Sequence, residues 1–156
     1  MIIYYFKENQ IFFQNHMREE AVYQSSNNAL SIQQLAQYYL VDYEAARRLI
    51  ARKFNFVQKT PVMLVHNYCL MFPTLSPQHQ ECVWLNYYAI DCIKDLGNHH
   101  VGIYFKRRID HFHFPSIKND ECLVIDGDIR GIRTQMKRCK LLHETLLHHR
   151  HILNLT

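Results

Sequence analysis

The sequence predicts an α+β domain with a mainly antiparallel sheet, a helical hairpin and a long C-terminal helix. Short apolar runs bounded by turn residues predict strands on both sides of residues 32–54. Apolar residues at three-and-four spacing predict helices over 32–40, 43–54 and 129–150. A length of 156 residues predicts a single domain, 1–156, and four Gly and four Pro leave little material for long linkers.

The N-terminal third is predicted to form strands followed by the helical hairpin. Strands are expected over 2–6 and 11–13, with a third short strand over 22–24 and a polar loop over 25–28. Ser31 and Gln34 fit a capping box at the start of the first helix, and Asp42 is the predicted N-cap of the second.

The remainder is predicted to form further strands and then the long helix. Strands are expected over 61–66, 69–72, 82–90, 101–106 and 122–125, with turns at 66–68 and 95–98. Asp128 is the predicted N-cap of helix 129–150, whose apolar residues form a seam suited to docking on a core or pairing with another helix.

Positive charge is concentrated in the C-terminal helix. The chain has a net charge of +4, and segment 129–150 carries six Arg and Lys residues against the single carboxylate of Glu144. A basic helix on a nearly neutral body favours a polyanion or an acidic protein as partner. The alternative is a helix that covers the sheet and has an ordinary charged outer face.

Two other basic segments are candidates for DNA contact. The pattern over 32–54 imitates a helix-turn-helix, although Leu40 stands where a glycine is usual; the alternative is a helical hairpin packed on a sheet, with solvated arginines. Lys106, Arg107 and Arg108 lie among aromatic residues, a combination that suits a phosphate backbone or a narrow minor groove. The alternative there is a solvated strand end.

Composition and spacing favour neither a metal site nor an enzyme. The histidines at 111, 113, 148, 149 and 151 lack a zinc-type spacing, so no metal or cofactor is expected. The five cysteines include no CxxC pair, which predicts reduced thiols in a cytoplasmic protein, and no apolar run approaches a membrane span. Cys82 lies in an apolar strand, where a buried thiol is expected rather than a nucleophile.

Three blocks, Thr60–Leu64, Phe72–Ser76 and Cys82–Trp84, stand in the order and spacing of the ComK family signature, and the chain resembles that family. The similarity is strong over 57–90 and looser over 31–56 and 101–142. The signature is mostly apolar and is therefore assigned to the core. Leu40 and Ala45-Ala46-Arg47 depart from the family pattern, where many relatives have a glycine-containing segment and an arginine one place earlier.

The resemblance implies a sequence-preferring DNA-binding transcriptional activator of competence (DNA-uptake) genes that contacts paired A/T-rich boxes of double-stranded DNA, largely through the minor groove. It further implies a homo-oligomer that works with the transcription machinery and is a target of a Clp-protease adaptor. The candidate DNA-binding residues, expected to form one continuous strip, are Arg47, Arg48, Arg52, Lys53, Lys106, Arg107, Arg108, Arg130, Arg133, Lys137 and Arg138. The alternative function is a protein-interaction module that docks an acidic partner through the basic C-terminal helix.

Overall fold

A computed structural model describes residues 2–7, 10–15, 18–23, 32–79, 81–106 and 122–154, with side chains over 32–79, 81–106 and 122–147. The predicted polar loop 25–28, the Ser31 half of the capping box, Arg107, Arg108 and the two histidine tracts lie outside the described side chains.

The strands form two antiparallel sheets. The large sheet has the strand order β3-β2-β1-β6-β5-β4 and the small sheet has the order β7-β8-β9. The strands of the large sheet are β1 (Ile2–Lys7), β2 (Gln10–Asn15), β3 (Arg18–Tyr23), β4 (Val62–Val65), β5 (Cys69–Pro73) and β6 (Val83–Asn86). Those of the small sheet are β7 (Ile90–Gly97), β8 (His100–Phe105) and β9 (Leu123–Asp126).

Three α-helices accompany the sheets within the described residues: α1 (Ile32–Tyr38), α2 (Tyr43–Phe54) and α3 (Ile129–Asn154). The predicted fold class, the helical hairpin and the long C-terminal helix are therefore confirmed. Among the described helices, none is long and apolar enough to cross a membrane.

The large sheet has a hydrophobic core on each face because successive strand residues point to opposite sides. On β5, Cys69 and Met71 belong to the first core, whereas Leu70 and Phe72 belong to the second. The first core is closed by α1, and the second is closed by α3 together with the small sheet. The large sheet is thus the middle layer of three.

Helix α2 passes along the edge of the large sheet. Its first residue, Tyr43, packs in the first core, whereas Ile50 and Phe54 pack against the second. The helix contacts the edge strand β4 and so covers an edge that could otherwise pair with another chain. As predicted, Asp42 caps its start: the Asp42 carboxylate accepts a hydrogen bond from the Ala45 N–H at 3.0 Å.

The turn between α1 and α2 explains how the chain manages without the usual glycine. The N–H groups of Leu40 and Val41 donate to the carbonyls of Gln37 and Ala36, the hydrogen-bond pattern of a Schellman motif. Leu40 occupies the left-handed position with φ 59°, and its side chain is 95% exposed. This conformation costs a residue with a Cβ atom roughly 1–2 kcal/mol.

The prediction of one strand over 82–90 is wrong because Asn86 ends it. The Asn86 amide oxygen accepts hydrogen bonds from the N–H groups of Leu70 and Tyr88, and its Nδ2 donates to the Tyr68 carbonyl at 2.9 Å. A single 3₁₀ turn over Tyr87–Ala89 follows, and β7 then begins in the small sheet. Strand β7 also includes residues 95–97, which were predicted as part of a turn, and β3 begins at Arg18 rather than at residue 22.

Candidate nucleic-acid interface

Helix α3 begins at a charged N-cap, as the sequence predicted. The Arg130 N–H donates to the Asp128 carboxylate at 2.8 Å, and the Arg130 side chain donates to the same carboxylate at 2.9 Å. These hydrogen bonds, the side-chain bonds first, lower the pKa of Asp128 to about 2. Arg130 therefore lies at the exposed start of the helix with its guanidinium already paired.

One face of α3 is buried in the second core. Ile132, Cys139 and Leu142 are almost inaccessible to solvent, and Gln135 lies between them on the same face. The predicted apolar seam is thus a docking surface for the sheet. At about 100° per residue, the opposite side of the helix faces away from the protein.

The opposite side of α3 carries a row of exposed cations. They are Arg130, Arg133, Lys137 and Lys140, which we call the α3 cation row. Steps of three, four and three residues keep these side chains within an arc of about 80°, and a rise of 1.5 Å per residue makes the row about 15 Å long. A straight, outward-facing row of this kind can contact successive phosphates of a polyanion.

Arg138 is half-buried and has a structural role, so it is not a member of this row. Its guanidinium donates to the Gln58 carbonyl at 2.7 Å and lies 4.6 Å from the centre of the Phe56 ring. Arg138 thus fixes the segment after α2 to α3. The DNA contact predicted for Arg138 stays a prediction. Lys140 was not among the predicted contacts, although the spacing of the other three cations identifies it.

The neighbouring Gln135 fixes the same segment from inside the protein. Its side chain is 4% exposed, and its Nε2 donates to the carbonyls of Lys59 at 2.8 Å and Pro73 at 2.9 Å. Gln135 and Arg138 together connect α3 to residues 58 and 59. Sequence patterns could not reveal this, because the partners are separated by more than 60 residues in the chain.

The cations of α2 have a different setting. Arg48, Arg52 and Lys53 are exposed, whereas Arg47 is half-buried and pairs with Glu44 at 3.0 Å. Arg47 lines a cleft on the α1 side of the large sheet, and the α3 cation row lies on the outer side of the opposite layer. Arg47 and the α3 cation row thus lie beside different cores, and the continuous strip expected from the sequence stays a prediction. The DNA contacts predicted for Arg48, Arg52 and Lys53 stay predictions.

The third basic candidate is only partly described. Lys106 is exposed at the end of β8, and its N–H donates to the Ala89 carbonyl at 2.7 Å. Arg107 and Arg108 lie outside the described residues. The contact predicted for this cluster also stays a prediction.

The cysteines differ in their exposure to solvent. All five are free thiols, and Cys69, Cys82 and Cys139 are buried. Burial raises the pKa of Cys82, whose Sγ lies 3.4 Å from the Leu75 carbonyl oxygen. Among the side chains over 32–79, 81–106 and 122–147, no three His, Cys, Asp or Glu residues are grouped to hold a metal ion.

Most residues of the signature blocks lie in the interior, as their apolar composition predicted. Val62 and Phe72 have no accessible surface, and Cys82, Val83 and Trp84 are also buried. A family model described as ComK protein matches residues 1–111, which include all three blocks. The match confirms the family suggested by the sequence and ends before α3 begins. No curated protein and no solved structure matches the chain.

Proposed function

The chain belongs to the ComK family of competence transcription factors, and we propose that it is a sequence-preferring, DNA-binding activator of DNA-uptake genes. In this proposal it contacts A/T-rich boxes largely through the minor groove. The observation that carries the proposal is the α3 cation row, which lies opposite the buried face of the helix. The narrow minor groove of A/T-rich DNA deepens the negative potential that attracts arginine, and two of the four cations are arginines.

The remaining features follow from the family and belong to the same proposal. Two boxes on one side of the DNA require at least two copies of the protein, one for each box. We therefore expect a homo-oligomer that acts with the transcription machinery in the cytoplasm, is controlled by a Clp-protease adaptor and has no enzymatic activity. These expectations can be examined independently of the DNA contact itself.

The size of the electrostatic contribution follows from the number of cations. Because Arg130 is already paired with Asp128, we count phosphate contacts by Arg133, Lys137 and Lys140 only. Three contacts give a slope of about −2.7 when the logarithm of the binding constant is plotted against that of the salt concentration. Because each contact contributes about −0.9, removal of one cation reduces the slope by about that amount. The slope therefore counts contacts, which a single affinity does not.

Fluorescence anisotropy with labelled A/T-rich and G/C-rich duplexes over a range of salt concentrations measures this slope. Lys137→Gln removes a cation from the middle of the row. The matched control, Lys94→Gln, removes the same charge from the small sheet, where the ammonium lies 5.0 Å from the centre of the Tyr104 ring. We expect weaker binding and a smaller slope for Lys137→Gln alone. A slope near zero for the unmodified protein, or equal losses in both variants, would refute the proposal.

A protein-interaction module is the second candidate, and one observation favours it. Leu141 is about half exposed and lies on the same side of α3 as the cation row. An apolar side chain beside cations suits an acidic protein surface better than it suits phosphates. If neither duplex binds, while Lys137→Gln and Leu141→Ala both abolish binding to an acidic protein recovered with the chain, this second function replaces the first.

A further inference from the structure

A cleft of about 740 Å³ lies on the α1 side of the large sheet, and its lining residues include no member of the α3 cation row. Its walls come from the starts of α1 and α2, from residues 57–60 and from the turn at 76–78. This volume is within the range of sites for small organic molecules. The lining of the cleft therefore indicates which class of molecule it suits.

The charged groups of the cleft favour an anion. Arg47 and Lys59 contribute two positive charges, and Glu44 contributes one negative charge. The Glu44 carboxylate accepts a hydrogen bond from one terminal nitrogen of Arg47, which orients the guanidinium and leaves its remaining N–H groups for a further partner. A planar guanidinium and an ammonium on separate walls can contact one carboxylate or phosphate group together.

Lys59 is held in a conformation that a lysine rarely adopts. Its φ is 53°, in the left-handed region; apart from Leu40, the other non-glycine residues with positive φ in the described part of the chain are asparagines and one histidine. Such strain persists only where the surroundings impose it, and it is concentrated at functional sites. Here the Lys59 carbonyl is fixed by the buried amide of Gln135.

The wall that carries Lys59 is also fixed by hydrogen bonds from α3. Arg138 holds the Gln58 carbonyl, and Gln135 holds both Lys59 and the end of β5. A wall that is already ordered loses little entropy when a ligand binds, so even a small ligand can bind measurably. The cleft also has apolar surface, supplied by Ile32, Val57 and Pro77.

We propose that this cleft binds a small organic anion, with a carboxylate or phosphate group held by Arg47 and Lys59 and an apolar body against Ile32, Val57 and Pro77. The site goes beyond the proposed DNA contact and does not depend on it, because none of the residues that line the cleft belongs to the α3 cation row. Anion binding itself is measured without DNA, so that its absence leaves the DNA proposal intact.

The test is a titration of the ¹⁵N-labelled protein with benzoate, phenyl phosphate and the uncharged benzyl alcohol, followed by amide chemical shifts. We expect saturable shifts confined to the cleft for one or both anions and none for benzyl alcohol. The anion that binds more tightly identifies the preferred group.

Two variants test the assigned residues, and a third is the control. Lys59→Asn removes the ammonium and introduces a residue that tolerates the left-handed conformation. Arg47→Gln removes the guanidinium. Loss of a charge-assisted contact should weaken anion binding roughly tenfold or more in each variant. The control Arg52→Gln removes an exposed cation from the same helix and should change the dissociation constant less than about twofold.

Three results would overturn the proposal. The first is the absence of saturable shifts for both anions up to about 10 mM, a concentration that detects even weak sites. The second is equal weakening by Arg52→Gln and by the two cleft variants, which would indicate a general effect of surface charge. The third is displacement of the bound anion by an A/T-rich duplex, which would make the cleft part of a DNA surface.

Discussion

The buried amide of Gln135 makes a specific prediction about how α3 is held on the sheet. Replacement of Gln135 by methionine keeps the length of the side chain but removes the two hydrogen bonds to the Lys59 and Pro73 carbonyls and a longer one from Arg138. A hydrogen bond contributes about 0.5–1.5 kcal/mol, and a buried group left unsatisfied costs about 1–3 kcal/mol. We therefore expect Gln135→Met to lower the free energy of unfolding by about 2–4 kcal/mol.

Gln135→Glu separates the hydrogen bonds from the shape of the side chain. A carboxylate at this position faces two carbonyl oxygens at 2.8 and 2.9 Å in a buried environment, and both effects raise its pKa. The Arg138 guanidinium, 3.4 Å from the Gln135 Oε1, opposes this rise, but its contact is longer and Arg138 already donates to the Gln58 carbonyl, so the pKa is expected to be raised in the folded protein. The penalty is then absent below the ordinary glutamate pKa of about 4.3 and increases as the pH rises towards the raised value. Gln135→Glu should therefore be closest to the unmodified protein in acid and least stable at neutral and higher pH.

Urea denaturation at several pH values, followed by circular dichroism, measures both effects. In thermal denaturation of a domain of this size, a loss of about 3 kcal/mol in the free energy of unfolding lowers the melting temperature by roughly 6–12 °C. The control Gln37→Met makes the same change at an exposed position of α1 and should alter stability by less than about 0.5 kcal/mol. Equal stability of Gln135→Met and Gln37→Met, or a pH-independent Gln135→Glu, would refute the role assigned to this amide.

Three further predictions concern the helix ends and the thiols. Leu40→Gly should stabilise the protein by about 0.5–1 kcal/mol in chemical denaturation, whereas Leu40→Ala, which retains a Cβ atom, should not. The Asp128 carboxyl should titrate near pH 2 in an NMR titration, and Arg130→Gln should raise this pKa. The Asp128 charge therefore stabilises α3 fully above the ordinary pKa of 3.8, and this contribution is lost as the pH falls to about 2. A thiol reagent should label the exposed Cys92 first. It should label Cys69 only on unfolding, because burial raises the pKa of the Cys69 thiol to about 12. Mass spectrometry of timed samples measures this order.

Sequence patterns predicted those parts of the fold that depend on neighbouring residues. The N-caps at Asp42 and Asp128 each involve an acceptor two or three positions from its donor, and the two helices that follow have a strong three-and-four period. The division of the predicted strand 82–90 could not be found in this way. It depends on the Asn86 side chain, whose partners include Leu70 and Tyr68 on and next to a neighbouring strand.

The candidate interface shows the same limit. The periodicity of α3 separates a buried seam from an outer side and correctly places Arg130, Arg133 and Lys137 on the outer side. It cannot place Arg138, because the contacts of this residue with Phe56 and Gln58 cross about 80 positions of the chain. A charged residue at the border of a helix face can therefore be assigned only once its distant neighbours are known.

Family membership and the proposed DNA contact rest on different parts of the chain. The family match covers residues 1–111, whereas the α3 cation row begins at Arg130. Deletion of α3 would be an unsuitable test of the row, since it would also remove Ile132 and Cys139 from the core and the amide of Gln135 from the sheet. Loss of DNA binding in such a truncated chain would be indistinguishable from unfolding. Exposed single substitutions in the row leave the buried seam unchanged, and only they can assign the contact to the outer side of α3.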